Sequence, residues 1–233
     1  MQRQFETDLE NIKQQVLTMA GLVEKSLDNI ARALADGDEG LAKQVIAADD
    51  RIDQCEVEID RMATEFIVRQ QPLATDLRFV IVAIKLGPEL ERIADHAVNI
   101  ARYLLDMEDD QRFGATTELG RMLALSRAMV SDAIAAYVAR DAEAARGVID
   151  RDDEVDRLYW STFRDLLDQI VAESSRVATV ISQILVARFA VRIADQATNI
   201  GVEVVDLVEG TPIRHMDAEH QHVKNGEEQT NGS

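Results

Sequence analysis

The same nine-residue segment occurs twice in this chain of 233 residues, with the two copies 100 positions apart. Residues 92–100 read RIADHAVNI and residues 192–200 read RIADQATNI, so seven of the nine positions are identical. A second echo relates DDRID at 49–53 to DDEVD at 152–156, at an offset of 103. Internal similarity at a fixed spacing is typical of a duplicated structural unit. The sequence therefore predicts two related halves.

Apolar residues in the first half recur every three or four positions, which is the spacing of one face of an α-helix. One such run extends over 5–34 and a second over 41–66, and the polar turn at 36–38 separates them. The Gln71-Pro72 step ends the second run, because proline lacks a backbone donor and disfavours helix before it. Thr75 and Asp76 are expected to cap a third helix that extends to about 106, with a kink at Gly87-Pro88.

The composition favours helix over sheet, because only 4% of the residues are aromatic and three are proline. We predict an all-α fold of two tandem, pseudo-symmetric three-helix bundles with six long helices. The first repeat is expected at 1–110 and the second at 111–215, with an acidic linker at 108–117. The polar segment 216–233 has too little apolar surface to fold and is expected to be a disordered tail.

The charge balance excludes some classes of partner. Asp and Glu number 43 against 25 Lys and Arg, which gives a net charge of −18 and argues against nucleic acid as a partner.

The single cysteine, Cys55, is predicted to be a buried core thiol, so nothing indicates an oxidising compartment. An unbroken apolar run such as that at 79–84 is far below the ~18 residues of a membrane span. We expect a cytoplasmic protein with no membrane span and no export signal.

Carboxylates at helical spacing form the candidate site. Glu91 and Asp95 are four residues apart and so lie on one face of the third helix, opposite its apolar stripe. Oxygen ligands of this kind suit Mg²⁺, Mn²⁺ or ferric iron better than a tetrahedral zinc site. The candidate metal ligands of the first repeat are Asp49, Asp53, Glu91, Asp95 and Asn99, and those of the second are Asp152, Asp156, Asp195 and Asn199.

Two other interpretations of these residues remain open. Acidic pairs on the outer face of an amphipathic helix are usually just solvated charge. Retention of Arg, Asp and Asn at equivalent positions of both copies argues against free drift, but ion pairs between the repeats explain that retention as well as a metal does. The sequence does not separate metal binding from helix packing.

The sequence offers no catalytic constellation. It contains no Gly-rich phosphate loop and no Ser-His-Asp or Cys-His grouping, and His96 is the only histidine within the predicted helices. A diiron oxidase would need Glu-x-x-His motifs on two bundle helices, and the predicted helices have none. We predict a protein that is not an enzyme.

Residues 71–78 (QPLATDLR), followed by 91–100 (ERIADHAVNI), closely resemble the hallmark of the PhoU family of phosphate-uptake regulators. The resemblance extends over about residues 3–215. It implies two three-helix bundles, metal-binding Glu/Asp-x-x-x-Asp motifs and frequent homodimerisation. It also implies negative regulation of the phosphate-starvation response, by an adaptor that links the ATPase subunit of a phosphate ABC transporter to a sensor histidine kinase. Association with the membrane would then be peripheral, through these partners.

The second copy departs from the family pattern. Val191 stands where the pattern has Glu and Gln196 where it has His, while Ala94 and Ala194 replace the usual Gly. We therefore expect the first-repeat site to bind metal better than the second. A helical-bundle metal-storage protein is the alternative function, and the missing helical histidines disfavour it. A purely structural coiled coil is the third possibility, but the short loops and the duplication favour compact bundles.

Overall fold

The computed structural model describes residues 2–106 and 117–210 of the chain, and within these two ranges it contains helices and no β-strand. The predicted all-α fold is confirmed. The helices are α1 (Gln2–Asp36), α2 (Glu39–Gln70), α3 (Ala74–Asp106), α4 (Thr117–Ala139), α5 (Ala142–Ile149), α6 (Asp152–Ala172) and α7 (Val177–Glu209), with a 3₁₀ turn at Ser174–Arg176. The predicted tail at 216–233 lies outside the described residues, and so does the predicted linker at 108–117 except for its last residue, Thr117, where α4 begins.

The fifth predicted helix is interrupted, so α5 and α6 together occupy its place. The interruption is a turn at Asp150 and Arg151. Arg151 donates from Nε to the carbonyl of Gly147, at 3.2 Å, and from Nη2 to Asp132, at 2.7 Å. Three acidic residues then occupy the first turn of α6, where they interact favourably with the positive end of the helix dipole. The first repeat has Ala47 and Ala48 at the equivalent place, and α2 continues through them.

The start of α3 differs from the prediction. The helix begins at Ala74, so Thr75 and Asp76 already lie in its first turn and do not cap it from outside. Two left-handed residues, Gln71 (φ 48°) and Ala74 (φ 37°), turn the chain between α2 and α3. The helix remains unbroken through Pro88.

The two repeats pack together mainly through α3 and α7, and secondarily through α1 and α4. The amide of Asn199 donates to Glu89, and Lys85 pairs with the almost fully buried Glu203. Residue numbers rise along one helix while they fall along the other, so α3 and α7 run antiparallel. The predicted apolar stripe of α3 is buried, with at most 1% exposure at Leu90, Ile93, Ala97, Ile100 and Leu104. Cys55 is buried in the same core, as predicted.

A smaller contact also joins the repeats, between the end of α4 and the start of α3. Tyr137 is fully buried and stacks on Phe79, with 4.7 Å between ring centroids. Its hydroxyl lies 3.4 Å from the Phe79 carbonyl oxygen. Arg140 covers the same Phe79 ring at 4.6 Å and pairs with Asp76 at 3.8 Å. This cluster fixes the end of α4 against the first repeat.

Two of the described helices are long and apolar enough to cross a membrane by length and composition, in α4 (Glu118–Ala139) and in α7. Single polar residues interrupt the apolar stretches of both helices. Of the 18-residue apolar stretch in each helix, 50% and 44% of the residues are buried inside the bundle. Since α7 packs against α3, α4, α5 and α6, the needs of the core account for its apolar character.

Two candidate acidic sites

The predicted carboxylates of the first repeat meet where α2 packs against α3. Asp53 on the same helix and Asp95 on α3 both repel the charge of Asp49. Asp95 and Asp53 likewise repel the charge of Glu91. Asp53 and Asp95 are exposed, whereas Asp49 and Glu91 are half-buried. The structure thus brings together the four carboxylates that the sequence placed on two separate helices.

Sequence reasoning missed a fifth carboxylate of this site, Glu56. Its charge acts on Glu91, and it lies so close to α3 that a Cβ added at Gly87 would be 3.2 Å from its Cγ. A side chain at position 87 would therefore press on Glu56. The missed signal was the 49, 53, 56 spacing, which places three acidic residues on one face of α2.

The second repeat forms a smaller site between α6 and α7. Asp195 feels the charges of Asp152 and Asp156, and the Thr198 hydroxyl donates to Asp152 at 3.4 Å. Val191, which replaces Glu91, is 5% exposed and packs in the core. The three predicted aspartates are therefore brought together, but with fewer carboxylates than in the first repeat.

The two predicted asparagines behave differently from the carboxylates. The Asn199 side chain donates its amide to Glu89 of α3 at 3.2 Å, so it takes part in the contact between the repeats. Asn99 is half-buried one turn beyond Asp95. The Asn199 contact is an example of the packing role that the sequence could not separate from metal binding.

His96 is less exposed than a solvent-facing histidine would be. Its ring is half-buried beside Phe189 of α7, with 5.7 Å between ring centroids. Burial lowers the pKa of His96, and the nearby Arg192 lowers it further. His96 therefore belongs to the α3–α7 interface.

The pKa values of several site carboxylates are raised, and the causes are the same throughout. Burial is the main reason for the raised pKa of Asp49, Glu56 and Glu91, and repulsion from the neighbouring carboxylates is the next. The same two causes raise the pKa of Asp152 and Asp195. Each acidic site therefore holds like charges together at an electrostatic cost, which a bound cation would offset.

Neither site is a closed ligand cage. Among the residues that the structure describes, no group of three or more His, Cys, Asp or Glu side chains converges at metal-ligand distances. Arg102 attracts Asp49, while Arg188 and Arg192 attract Asp195, so part of the negative charge is already balanced. The geometry is that of two open acidic surfaces, each supplied by two antiparallel helices.

We expect removal of a repelling carboxylate to stabilise the metal-free protein near neutral pH. Because the folded pKa of Asp49 and Glu91 lies above the ordinary 3.8 and 4.5, their favourable contribution is present at low pH and is lost as the pH rises through the folded pKa. In buffer that contains a metal chelator, the variants Asp49→Asn and Glu91→Gln should therefore have a higher Tm than wild type at about pH 7. At about pH 4 the Tm of each variant should not exceed that of wild type.

Differential scanning calorimetry of each variant beside wild type measures this difference. Groups that the proteins share, such as His96 with its lowered pKa, cancel in the comparison. A variant that is less stable than wild type at neutral pH would show that its carboxylate makes a favourable contact there.

The fold and its sites define the class of protein. It is an all-helical protein of two tandem repeats, with one open acidic surface between α2 and α3 and another between α6 and α7. The chain belongs to the PhoU family, since the family's PhoU domain matches residues 16–104 and again residues 119–204. The two matches correspond to the two repeats.

Relatives and solved structures agree with this membership. The chain is 37% identical over 215 residues to a phosphate-specific transport system accessory protein PhoU homolog of Pseudomonas putida, a match of 92% of this chain and 84% of that protein. It is 33% identical to the accessory protein PhoU of Escherichia coli, over 91% and 88% of the two chains. The crystal structure of PhoU from Pseudomonas aeruginosa has a TM-score of 0.82 at 34% identity, over 89% of this chain and all of that one. The phosphate transport system regulatory protein PhoU of Streptococcus pneumoniae also has a TM-score of 0.82, at 25% identity, with 89% and 98% coverage.

Proposed function

We propose that this chain is a regulatory accessory protein of phosphate-specific transport that restrains the phosphate-starvation response. The observation that carries the proposal is the match of the two-repeat chain, at 33–37% identity, to relatives named as phosphate-specific transport system accessory proteins. A regulator of this kind acts by binding, and the described surface offers extended helical faces rather than a catalytic cleft.

The adaptor role is the finer part of the proposal. The chain would associate with the ATPase subunit of a phosphate ABC transporter and with a sensor histidine kinase, so that the kinase is held inactive while phosphate is abundant. Binding would take place in the cytoplasm at the membrane surface, through these partners. We also propose a homodimer as the working unit.

Metal binding at the acidic sites is proposed as part of this function. The donor set fits a hard cation such as Mg²⁺, Mn²⁺ or ferric iron, because it consists of carboxylate oxygens. Burial, followed by repulsion from the neighbouring carboxylates, raises the pKa of Asp49 and Glu91. Asp49, Asp53, Glu91 and Asp95 would hold the ion in the first repeat, with Glu56 beside them. A bound cation would neutralise the acidic surface and so could change which partner surface it attracts. A metal-storage protein is disfavoured, since the sites are open and few.

Complementation tests the regulatory role. A bacterial strain that lacks its own family member would carry this chain on a plasmid and grow in phosphate-rich medium, with a reporter driven by a phosphate-starvation promoter. We expect the chain to return reporter expression to the level of the parent strain. High reporter expression in the presence of abundant, soluble chain would contradict the proposal.

Titration calorimetry tests the adaptor role separately. The purified chain would be titrated with the cytoplasmic region of the sensor kinase and with the transporter ATPase subunit of the same organism. Binding to both is expected. If the chain bound neither protein while the reporter was still repressed, regulation would operate without the adaptor contacts.

A further inference from the structure

A line of apolar side chains, some exposed and some half-buried, extends along α6. Tyr159, Phe163, Leu167 and Val171 recur at four-residue steps on one side of the helix, and Trp160 lies beside them. Trp160 is 58% exposed, Leu167 41% and Val171 87%. We call these five residues the α6 stripe. Contiguous exposed apolar surface of this kind marks interaction sites more often than scattered single residues do.

Aromatic rings form one end of the α6 stripe and hold one another in place. Trp160 meets Tyr159 edge-on with ring centroids 5.3 Å apart, and meets Phe163 edge-on at 5.9 Å. Edge-to-face pairs are a favourable aromatic geometry. Trp160 is the only tryptophan of the chain. Exposed, preorganised aromatic side chains are the residue type that supplies most binding energy at protein interfaces.

The α6 stripe is not what holds α6 in the bundle. The packed side of this helix carries Val155, Thr162 and Leu166, each at most 2% exposed. On that packed side, Thr162 contacts Met122 of α4. Glu154 of α6 also forms an ion pair with Arg121 of α4. The α6 stripe lies beside this packed side, and Tyr159 at its edge packs partly against the core. Trp160, Leu167 and Val171 are exposed, and the contacts of the described residues do not explain why these three are apolar.

Comparison of the two repeats supports a separate role for this face. At the offset of 103, the residues of α2 that correspond to Tyr159, Phe163, Leu167 and Val171 are Glu56, Asp60, Thr64 and Val68. The first repeat forms the same kind of bundle with two acids and a threonine on this face. The first repeat therefore forms its bundle without aromatic rings at these positions, although Glu56, the counterpart of Tyr159, packs against α3.

The acidic site of the second repeat lies at one end of the α6 stripe. Asp156 precedes Tyr159 by three residues, so the two are on neighbouring turns of one side of α6, and Asp152 and Asp195 complete the site. Arg188 and Arg192 also act on Asp195, but the repulsion from each aspartate is stronger than the attraction of either arginine. A partner that covers the stripe would therefore gain from a cationic group at this end.

We propose that the α6 stripe is a docking surface for an amphipathic helix of another protein. Its apolar side chains would cover Trp160, Leu167 and Val171, and its Lys or Arg side chains would reach the acidic site. A second copy of this chain fits less well, because each copy has a net charge of −18 and the two would repel. That the partner is the kinase or the ATPase subunit rests on the proposed function.

Matched double variants test the surface. Trp160→Asp with Val171→Asp places two charges on the α6 stripe, and Val57→Asp with Val68→Asp places two at the equivalent positions of α2, which are 68% and 71% exposed. In titration calorimetry with the kinase region and the ATPase subunit, we expect the stripe variant to lose at least about tenfold in affinity for one of them, as loss of an interface hot spot does. The α2 variant should bind like wild type. Equal losses in the two variants, or none in either, would overturn the proposal while the adaptor role stands.

Circular dichroism of both variants guards against loss of fold. If the stripe variant loses helical signal, Trp160→Val with Leu167→Thr replaces it, because these changes introduce the side chains that the first repeat carries at those positions. If sedimentation shows that wild type is dimeric and the stripe variant monomeric, the occupant is a second copy, and the assignment to another protein is wrong.

If wild type binds neither the kinase region nor the ATPase subunit, the adaptor role fails, and a peptide probe then tests the α6 stripe by itself. The probe is a tryptophan-free helical peptide with a leucine face and lysines at one end, and its control carries glutamates in place of the lysines. Covering Trp160 should shift the emission of the chain's only tryptophan to shorter wavelength with the lysine peptide and much less with the glutamate peptide. An emission unchanged by the lysine peptide would overturn the docking surface in that case.

Discussion

Replacing Tyr137 by alanine is expected to lower the free energy of unfolding by about 3–5 kcal/mol, as truncation of large buried aromatic residues does. Tyr137 is the largest of the fully buried side chains, and it stacks on Phe79 of the other repeat. The alanine variant would leave a cavity where α4 meets α3. Chemical denaturation followed by circular dichroism measures the change.

Tyr137→Phe is the matched control, since it keeps the ring and removes only the hydroxyl. That hydroxyl makes one long contact, 3.4 Å from the Phe79 carbonyl oxygen, so a loss of about 0.5–1.5 kcal/mol is expected. A loss in the alanine variant no larger than that of the phenylalanine variant would mean that the ring contributes little to the junction of the repeats.

Asp95→Asn is expected to weaken binding of Mn²⁺ or Mg²⁺ far more than Asp195→Asn does. Asp95 acts together with Asp49, Glu91 and further carboxylates, whereas Asp195 has only two aspartates beside it. If the two sites bind with different affinities, Asp95→Asn is expected to weaken the tighter binding by at least about tenfold. Even mutation of residues that only support metal ligands often costs 10–100-fold in affinity. Asp195→Asn should leave the affinity of the tighter site unchanged.

Isothermal titration of wild type and both variants makes this measurement. Both aspartates are exposed and the changes are nearly isosteric, so circular dichroism and Tm of the metal-free variants should show intact folds. Equal losses would contradict the asymmetry between the repeats. An absence of metal binding by wild type would return these carboxylates to roles in packing and partner attraction.

Much of the architecture could be predicted from local patterns in the sequence. The three- and four-residue spacing of apolar residues identified the core face of α3, because a helix repeats every 3.6 residues and only one face can be buried. The duplication gave the second half the same arrangement as the first. The asymmetry of the acidic sites was also visible in the sequence, since Val191 cannot replace the carboxylate of Glu91.

Other features could not be predicted, because they depend on which helices touch. The 49, 53, 56 spacing places Glu56 on the acidic face of α2, but its close approach to Gly87 of α3 is a tertiary contact. Asn199 bonds to Glu89 because α3 and α7 run antiparallel. The turn at Asp150 and Arg151 follows from long-range contacts such as that of Arg151 with Asp132. Local helical propensity contains no information on such contacts.

The sequence by itself determined that this chain forms helices, that they come in two related sets, and that carboxylates gather on one face of each set. Periodicity and spacing are local properties, so these results did not need coordinates. For the second repeat, only the tertiary structure decided which apolar residues form the core and which face solvent. Tyr137 and Trp160 are both aromatic residues within helices, yet the first is fully buried and the second is 58% exposed. The difference arises because a neighbouring repeat covers Tyr137, whereas no described residue covers the outer side of α6.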